Sequence, residues 1–296
     1  RRDPAAAMGR ARPTAAGTRA ATDGHEGRRR MTPGAFFDRL WQDYLATTPT
    51  ARRVRALLED RGETLVNDHI ALRTFAHPAV GIDRLAVPFL DWGYREAAEP
   101  YEFPHKRLRA RHYTAPPGLP RIFISELLLD DFSAPFQQRV QRCIDALPAD
   151  PDALALYLND PPWRLRCADY DALAAESEYA AWVGALGYRP NHFTVSVNHL
   201  STFRDLAQLN AFLKDAGCAL NSAGGEIKGS PAVGLEQSST LADRLDVDFA
   251  DGRRRIPTCY YEFARRHPLD PARPETLYQG FVTASADRIF ESTDRR

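Results

Sequence analysis

The chain has 296 residues, 44% of them hydrophobic, enough for one large mixed domain or two fused modules with a real core. Lysine plus arginine and aspartate plus glutamate balance at 39 each, so no electrostatic footprint for nucleic acid or an anionic membrane surface follows. No apolar run approaches the ~20 residues of a membrane span.

The four cysteines (Cys143, Cys167, Cys218, Cys259) are scattered without a CxxC, which predicts free thiols in a reducing, cytoplasmic setting. The first thirty residues are rich in Ala, Arg, Gly and Thr and poor in large apolar groups. They read as a disordered tail or an over-extended N-terminus, with a transit peptide as the alternative. A single catalytic domain is expected over 31–296. It would comprise a first β unit at about 64–130, a helical connection at about 131–188, a second β unit at about 189–266 and a C-terminal segment over 267–296.

Thr32-Pro33 predicts a helix start, followed by Phe36, Phe37, Leu40, Trp41, Tyr44 and Leu45 at helical spacing. A second helix over about 50–61 is stopped by Gly62. "NDHIALRTF" (67–75) then reads as a strand, with His69, Ala71, Arg73 and Phe75 on one face and Ile70, Leu72 and Thr74 on the other. Both faces carry apolar groups, so His69 and Arg73 look into something enclosed. A short helix near 82–90, strands within 94–103 and 106–116, and a buried strand "RIFISELLL" (121–129) complete the first unit. Residues 133–187 read as mostly helical, broken at Pro161-Pro162.

The opening pattern then returns. "NHFTVSVNHL" (191–200) alternates, placing His192, Thr194, Ser196 and Asn198 on one face. A helix capped by Ser201 or Thr202 and stopped by Gly217 follows, then Gly-rich turns and strands, and last "IPTCYYEFARR" (256–266). The pattern is two βαβββ-type units, an α+β chain forming a central curved sheet or partial barrel with surrounding helices.

If the opening and closing strands of both units line one cup, His69, Glu126, His192 and Glu262 converge. Two imidazoles and one carboxylate are the donor set of the facial triad of non-haem iron, with positions left open. All four would instead suit a zinc or nickel isomerase or lyase. A metal-free protein that binds small acids is the alternative from another class. His25, His77, His105, His112, His199 and His267 sit in turns, a basic run, a strand end or the tail, and read as structural. Arg73 lies roughly 13 Å along the strand from His69, placed to grip a carboxylate of a small organic acid whose other end sits on the metal. Gln237, Ser238 and Ser239 form a compact hydrogen-bonding set that could orient a polar ligand. No phosphate loop or nucleophile elbow is present.

"NDHIALRTF", "GYRPNHFTVSVNHL", "GLEQSSTLAD" and "IPTCYYEFARR" together resemble the family formerly called domain of unknown function 1338, the 2-oxoadipate dioxygenase/decarboxylases. The resemblance covers about 34–294, in a form shorter than many members. It implies a vicinal-oxygen-chelate-like fold related to hydroxymandelate synthase. It also implies Fe(II) held by His69, His192 and Glu262, with Arg73 on the substrate and Glu126 outside the ligand set. The implied reaction takes 2-oxoadipate and O2 to 2-hydroxyglutarate and CO2, in lysine catabolism, with the 2-oxo dicarboxylic acid and O2 as the small-molecule partners.

Overall fold

A computed structural model describes residues 31–289; the expected N-terminal tail lies outside them. The fold begins with α1 (Pro33–Thr47) and α2 (Pro49–Asp60), each opened by proline, whose fixed φ and missing N–H suit the first helical turn. Arg61 caps α2 and Gly62 takes the left-handed φ of +84° that ends it.

The first unit is β1 (Asn67–Phe75), α3 (Ile82–Leu85), α4 (Val87–Asp91), β2 (Arg95–Glu96), β3 (Tyr101–Phe103), β4 (Leu108–Thr114) and β5 (Arg121–Leu127). The single helix expected near 82–90 is two short ones, because Pro88 forces a restart. A helical layer follows: α5 (Ala134–Asp145), α6 (Ala153–Leu158), α7 (Cys167–Glu176) and α8 (Glu178–Leu186). The second unit is β6 (Pro190–Ser196), α9 (Leu206–Asp215), β7 (Lys228–Ser230), β8 (Leu235–Ser239), a separate hairpin of β9 (Arg244–Phe249) and β10 (Gly252–Pro257), and β11 (Tyr260–Arg266). Helix α10 (Thr283–Ile289) comes last.

Two sequence expectations are corrected. The cap of α9 is Asp205, which accepts from the Gln208 amide; Ser201 and Thr202 instead donate to the buried Glu63 carboxylate. β6 ends at Ser196 and turns into a 3₁₀ segment over Val197–His199, so Asn198 leaves the strand face.

Nine strands form one mixed sheet with the path β2-β4-β5-β1-β6-β11-β8-β7, and β3 pairs with β4. The two units meet at its centre. β1 and β6 are antiparallel, and each has the closing strand of its own unit, β5 or β11, as its parallel neighbour. This is the expected pair of repeats around one curled sheet. One face packs on helices: the Tyr44 and Trp41 rings of α1 lie against Phe193 and Tyr261. The registers place His69, His192 and Glu262 on the other face. There α8 covers the Arg73 end, and residues around Phe281 cover the His69 end.

All four cysteines are free thiols. Among the described residues no helix is long and apolar enough to cross a membrane.

Candidate metal centre

Two β-bulges build the site. In the β1–β6 ladder Asn67 faces Val195 and His69 faces Thr194, so Asp68 is an extra residue on β1. Further along, Ala71 faces His192 and Leu72 faces Pro190, so Asn191 is an extra residue on β6. A bulge re-aims its extra side chain relative to strict alternation. Here each turns beside the histidine that follows it. Asp68 Oδ1 lies 2.9 Å from His69 Nδ1, and Asn191 Oδ1 lies 3.1 Å from His192 Nδ1. With Nδ1 so occupied, each ring presents Nε2 to the cup.

Both Nε2 atoms face Glu262 on β11. His69 Nε2 is 3.3 Å from Glu262 Oε1, and His192 Nε2 is 3.2 Å from Oε2. One ligand atom from each of the three residues lies within 4.8 Å of the others, and all three residues are buried. Glu262 is 0% exposed; Gln237 Nε2 donates to its Oε1 at 2.6 Å, while Oε2 accepts no hydrogen bond. A buried carboxylate oxygen without a donor is costly in a protein interior. A cation held between it and the two imidazoles removes that cost, so the residues fit a metal ion. The electrostatics of His192 and Glu262 agree. Burial pushes His192 down to about 3, against the pull of Glu262, which keeps its ring neutral as a ligand must be. Burial also disfavours a charged His69, but Glu262 and Asp68 outweigh it and raise its pKa. Glu262 is held below the usual carboxylate range despite its burial, first by His192 and then by His69.

Arg73 is 2% exposed and sits two pleats beyond His69 on the same face. Its guanidinium lies 5.0 Å from the Tyr179 ring centroid and 5.1 Å from that of Trp182, both on α8. Such stacking holds the planar fork in one orientation. A cavity of about 290 Å³ adjoins it, lined also by Leu108, Phe132, Tyr179, the basic run His105 to Arg107, and Glu176 and Glu178.

Two candidates fall elsewhere. Ser238 is on the helix-packed face and donates to Asn210 of α9 at 2.8 Å; its neighbour Ser239, paired with Glu262, holds the position facing the cup. Glu126 shares a face with Ile122 and Ile124, because Thr74 and Arg109 are its cross-strand partners. Its Oε2 accepts from the Ile82 amide at 2.8 Å at the start of α3, and Arg109 binds its Oε1. The four-ligand set is thereby overturned, and Arg109 is the cationic partner of Glu126. Replacement of Glu126 by alanine is expected to leave metal affinity unchanged and to cost about 1–3 kcal/mol of stability from the stranded Ile82 amide, read from Co(II) titration and thermal melting of one sample.

The curled mixed sheet and its paired units define a fold of the vicinal-oxygen-chelate kind, with a three-donor cluster that could hold a metal ion. A protein from Ralstonia eutropha JMP134 described as belonging to the glyoxalase superfamily shares this fold. Its TM-score is 0.66 at 25% identity, covering 83% of this chain and 84% of that one. The chain itself belongs to the 2-oxoadipate dioxygenase/decarboxylase family, whose model matches residues 41–156 and 148–275. It is 41% identical over 276 residues to the chloroplastic 2-oxoadipate dioxygenase/decarboxylase of Arabidopsis thaliana, covering 84% of this chain and 74% of that protein. The crystal structure of the Oryza sativa hydroxyglutarate synthase in complex with 2-oxoadipate superposes with a TM-score of 0.79. That match is 37% identical and covers 88% of this chain and 91% of the other.

Sequence reasoning missed Asp68 and Asn191 as partners of the histidines, although each stands immediately before its histidine. Tyr179, Trp182 and Phe281 also went unassigned, since each reaches the site only through tertiary packing.

Proposed function

We propose that this chain is an Fe(II)-dependent 2-oxoadipate dioxygenase/decarboxylase acting in lysine catabolism, with residues 31–296 as its catalytic domain. It would convert 2-oxoadipate and O2 to 2-hydroxyglutarate and CO2. The observation that carries the reading is the buried cluster of His69, His192 and Glu262 with an unsatisfied carboxylate oxygen at its centre. Family membership and the 2-oxoadipate complex of the rice relative support the substrate.

Two imidazoles and one carboxylate match ferrous iron with open positions. His69, His192 and Glu262 would hold the ion, which would supply binding of the 2-oxo acid and activation of O2. The chain's own residues do the rest. Asp68 and Asn191 hold the two rings with Nε2 forward, and Gln237 steadies the inner oxygen of Glu262. Arg73 takes the distal carboxylate of the substrate through two parallel N–H···O bonds. Tyr179 and Trp182 keep that guanidinium from swinging, which sets the length of acid that can span from metal to clamp. Burial of all three donors keeps bulk water from the reacting carbon.

The test is CO2 release from 2-oxoadipate by the Fe(II)-loaded chain with and without O2. The expected result is O2 uptake matched by CO2 and 2-hydroxyglutarate, and none of the three without O2. Turnover without O2 would point to an isomerase or lyase, and binding without turnover to a small-acid carrier.

A further inference from the structure

The most connected charged group near the site belongs to none of the three donors. Asp68 is 4% exposed, and both of its oxygens are engaged by Arg266, Nε to Oδ2 at 2.7 Å and Nη2 to Oδ1 at 2.8 Å. Asp68 Oδ1 also meets His69 Nδ1, and Arg121 lies 3.4 Å from Oδ2. Arg266, 3% exposed, has its third nitrogen, Nη1, on two main-chain carbonyls, Tyr278 at 2.9 Å and Gly280 at 2.8 Å. The stretch so held ends in Phe281. The Phe281 ring stands edge-on to the His69 ring at 4.7 Å, lies 5.3 Å from the Arg266 guanidinium, and donates its main-chain amide to Tyr101. One arginine therefore joins the carboxylate behind His69 to the segment that walls His69 in.

We propose that Asp68 and Arg266 are positioning residues of the metal centre: Asp68 fixes the tautomer and tilt of His69, and Arg266 locks Asp68 and the segment 278–281 into one unit around it. The inference rests on the metal-site reading of His69, His192 and Glu262. Its physical basis is the carboxylate behind a ligating imidazole, whose removal commonly weakens metal affinity ~10–100-fold. The fork of Arg266 suits the task because it satisfies a carboxylate bidentately and still has a nitrogen for the carbonyls, which a lysine does not. His192 carries a neutral Asn191 where His69 carries an anion, so the two rings are not equivalent. His69 is expected to be the more strongly oriented ligand.

The experiment titrates the metal-free full chain with Co(II) and follows its visible absorption bands, which report ligand geometry without turnover. Wild type, Glu262→Gln, Asp68→Asn, Arg266→Lys and the double variant Asp68→Asn/Arg266→Met are compared. The double variant removes both buried charges, so it guards against Asp68→Asn failing to fold with an unmatched arginine. We expect Asp68→Asn and the double variant to bind Co(II) about 10–100-fold more weakly with shifted bands, and Arg266→Lys to shift the bands in the same direction to a smaller extent. A purely structural role predicts that restoring charge balance in the double variant restores wild-type affinity and bands. That result, or an unchanged spectrum in folded Arg266→Lys, overturns the inference while the metal centre stands. If Glu262→Gln binds Co(II) as wild type does, the metal-site reading fails, and this inference with it.

Discussion

Replacing Glu262 by glutamine is expected to abolish turnover, by on the order of a thousandfold or more, and to remove the thermal stabilisation that a divalent metal confers. The substitution keeps the shape of the side chain and deletes only its charge. The carboxylate is 0% exposed, one oxygen takes the Gln237 amide, and the other has no donor. An amide in the same place offers a single acceptor, already claimed by Gln237, and turns an NH2 group toward the ion. For the wild-type protein, metal at 100 times its dissociation constant stabilises the fold by about 2.7 kcal/mol. In a domain of this size each kcal/mol moves the melting temperature by about 2–4 °C, so the wild-type shift is about 5–10 °C. The same shift in Glu262→Gln would mean that the metal sits elsewhere. Parallel melts with and without Co(II) decide the point.

What was legible in the sequence is what a two-residue period can carry. His69 and Arg73 share one parity on β1, His192 and Thr194 share one on β6, and the structure puts all four on the concave face. The period fails at each bulge. Strict alternation sends Asp68 and Asn191 to the helix-packed face, whereas the extra residue in each strand brings them beside their histidines. Three polar residues in a row, Gln237 to Ser239, carry no parity signal; only the register Glu262 to Ser239 shows that Ser238 turns away from the cup. For Glu126 the signal was present, since Ile122 and Ile124 share its parity and are core residues. Arg266 was legible as a cation near Glu262, but its partner, Asp68, lies 198 residues away. No local pattern encodes a contact at that separation.

The second large effect is a change of substrate preference at Arg73. Arg73→Lys is expected to lower kcat/KM for 2-oxoadipate by about 30–1000-fold, that is, about 2–4 kcal/mol, the range for losing one side of a buried, hydrogen-bonded charge pair. The same change should barely affect 2-oxohexanoate, which has the same chain length and no distal carboxylate. Lysine keeps the charge, so the comparison isolates the fork. An ammonium cannot make two parallel bonds to a carboxylate, and it packs less well between the Tyr179 and Trp182 rings that hold the guanidinium at 5.0 and 5.1 Å. The loss should appear in kcat as well as KM, because a substrate anchored only at the metal pivots about it and spends less time in the reactive pose. Metal affinity should remain at the wild-type level, since Arg73 offers no donor to the ion. Equal losses for the two acids would show that Arg73 supports the architecture of the cup rather than reading the substrate. A loss confined to the dicarboxylate assigns the clamp to Arg73 and makes the distance from His69 to Arg73 along β1 the ruler for acid length.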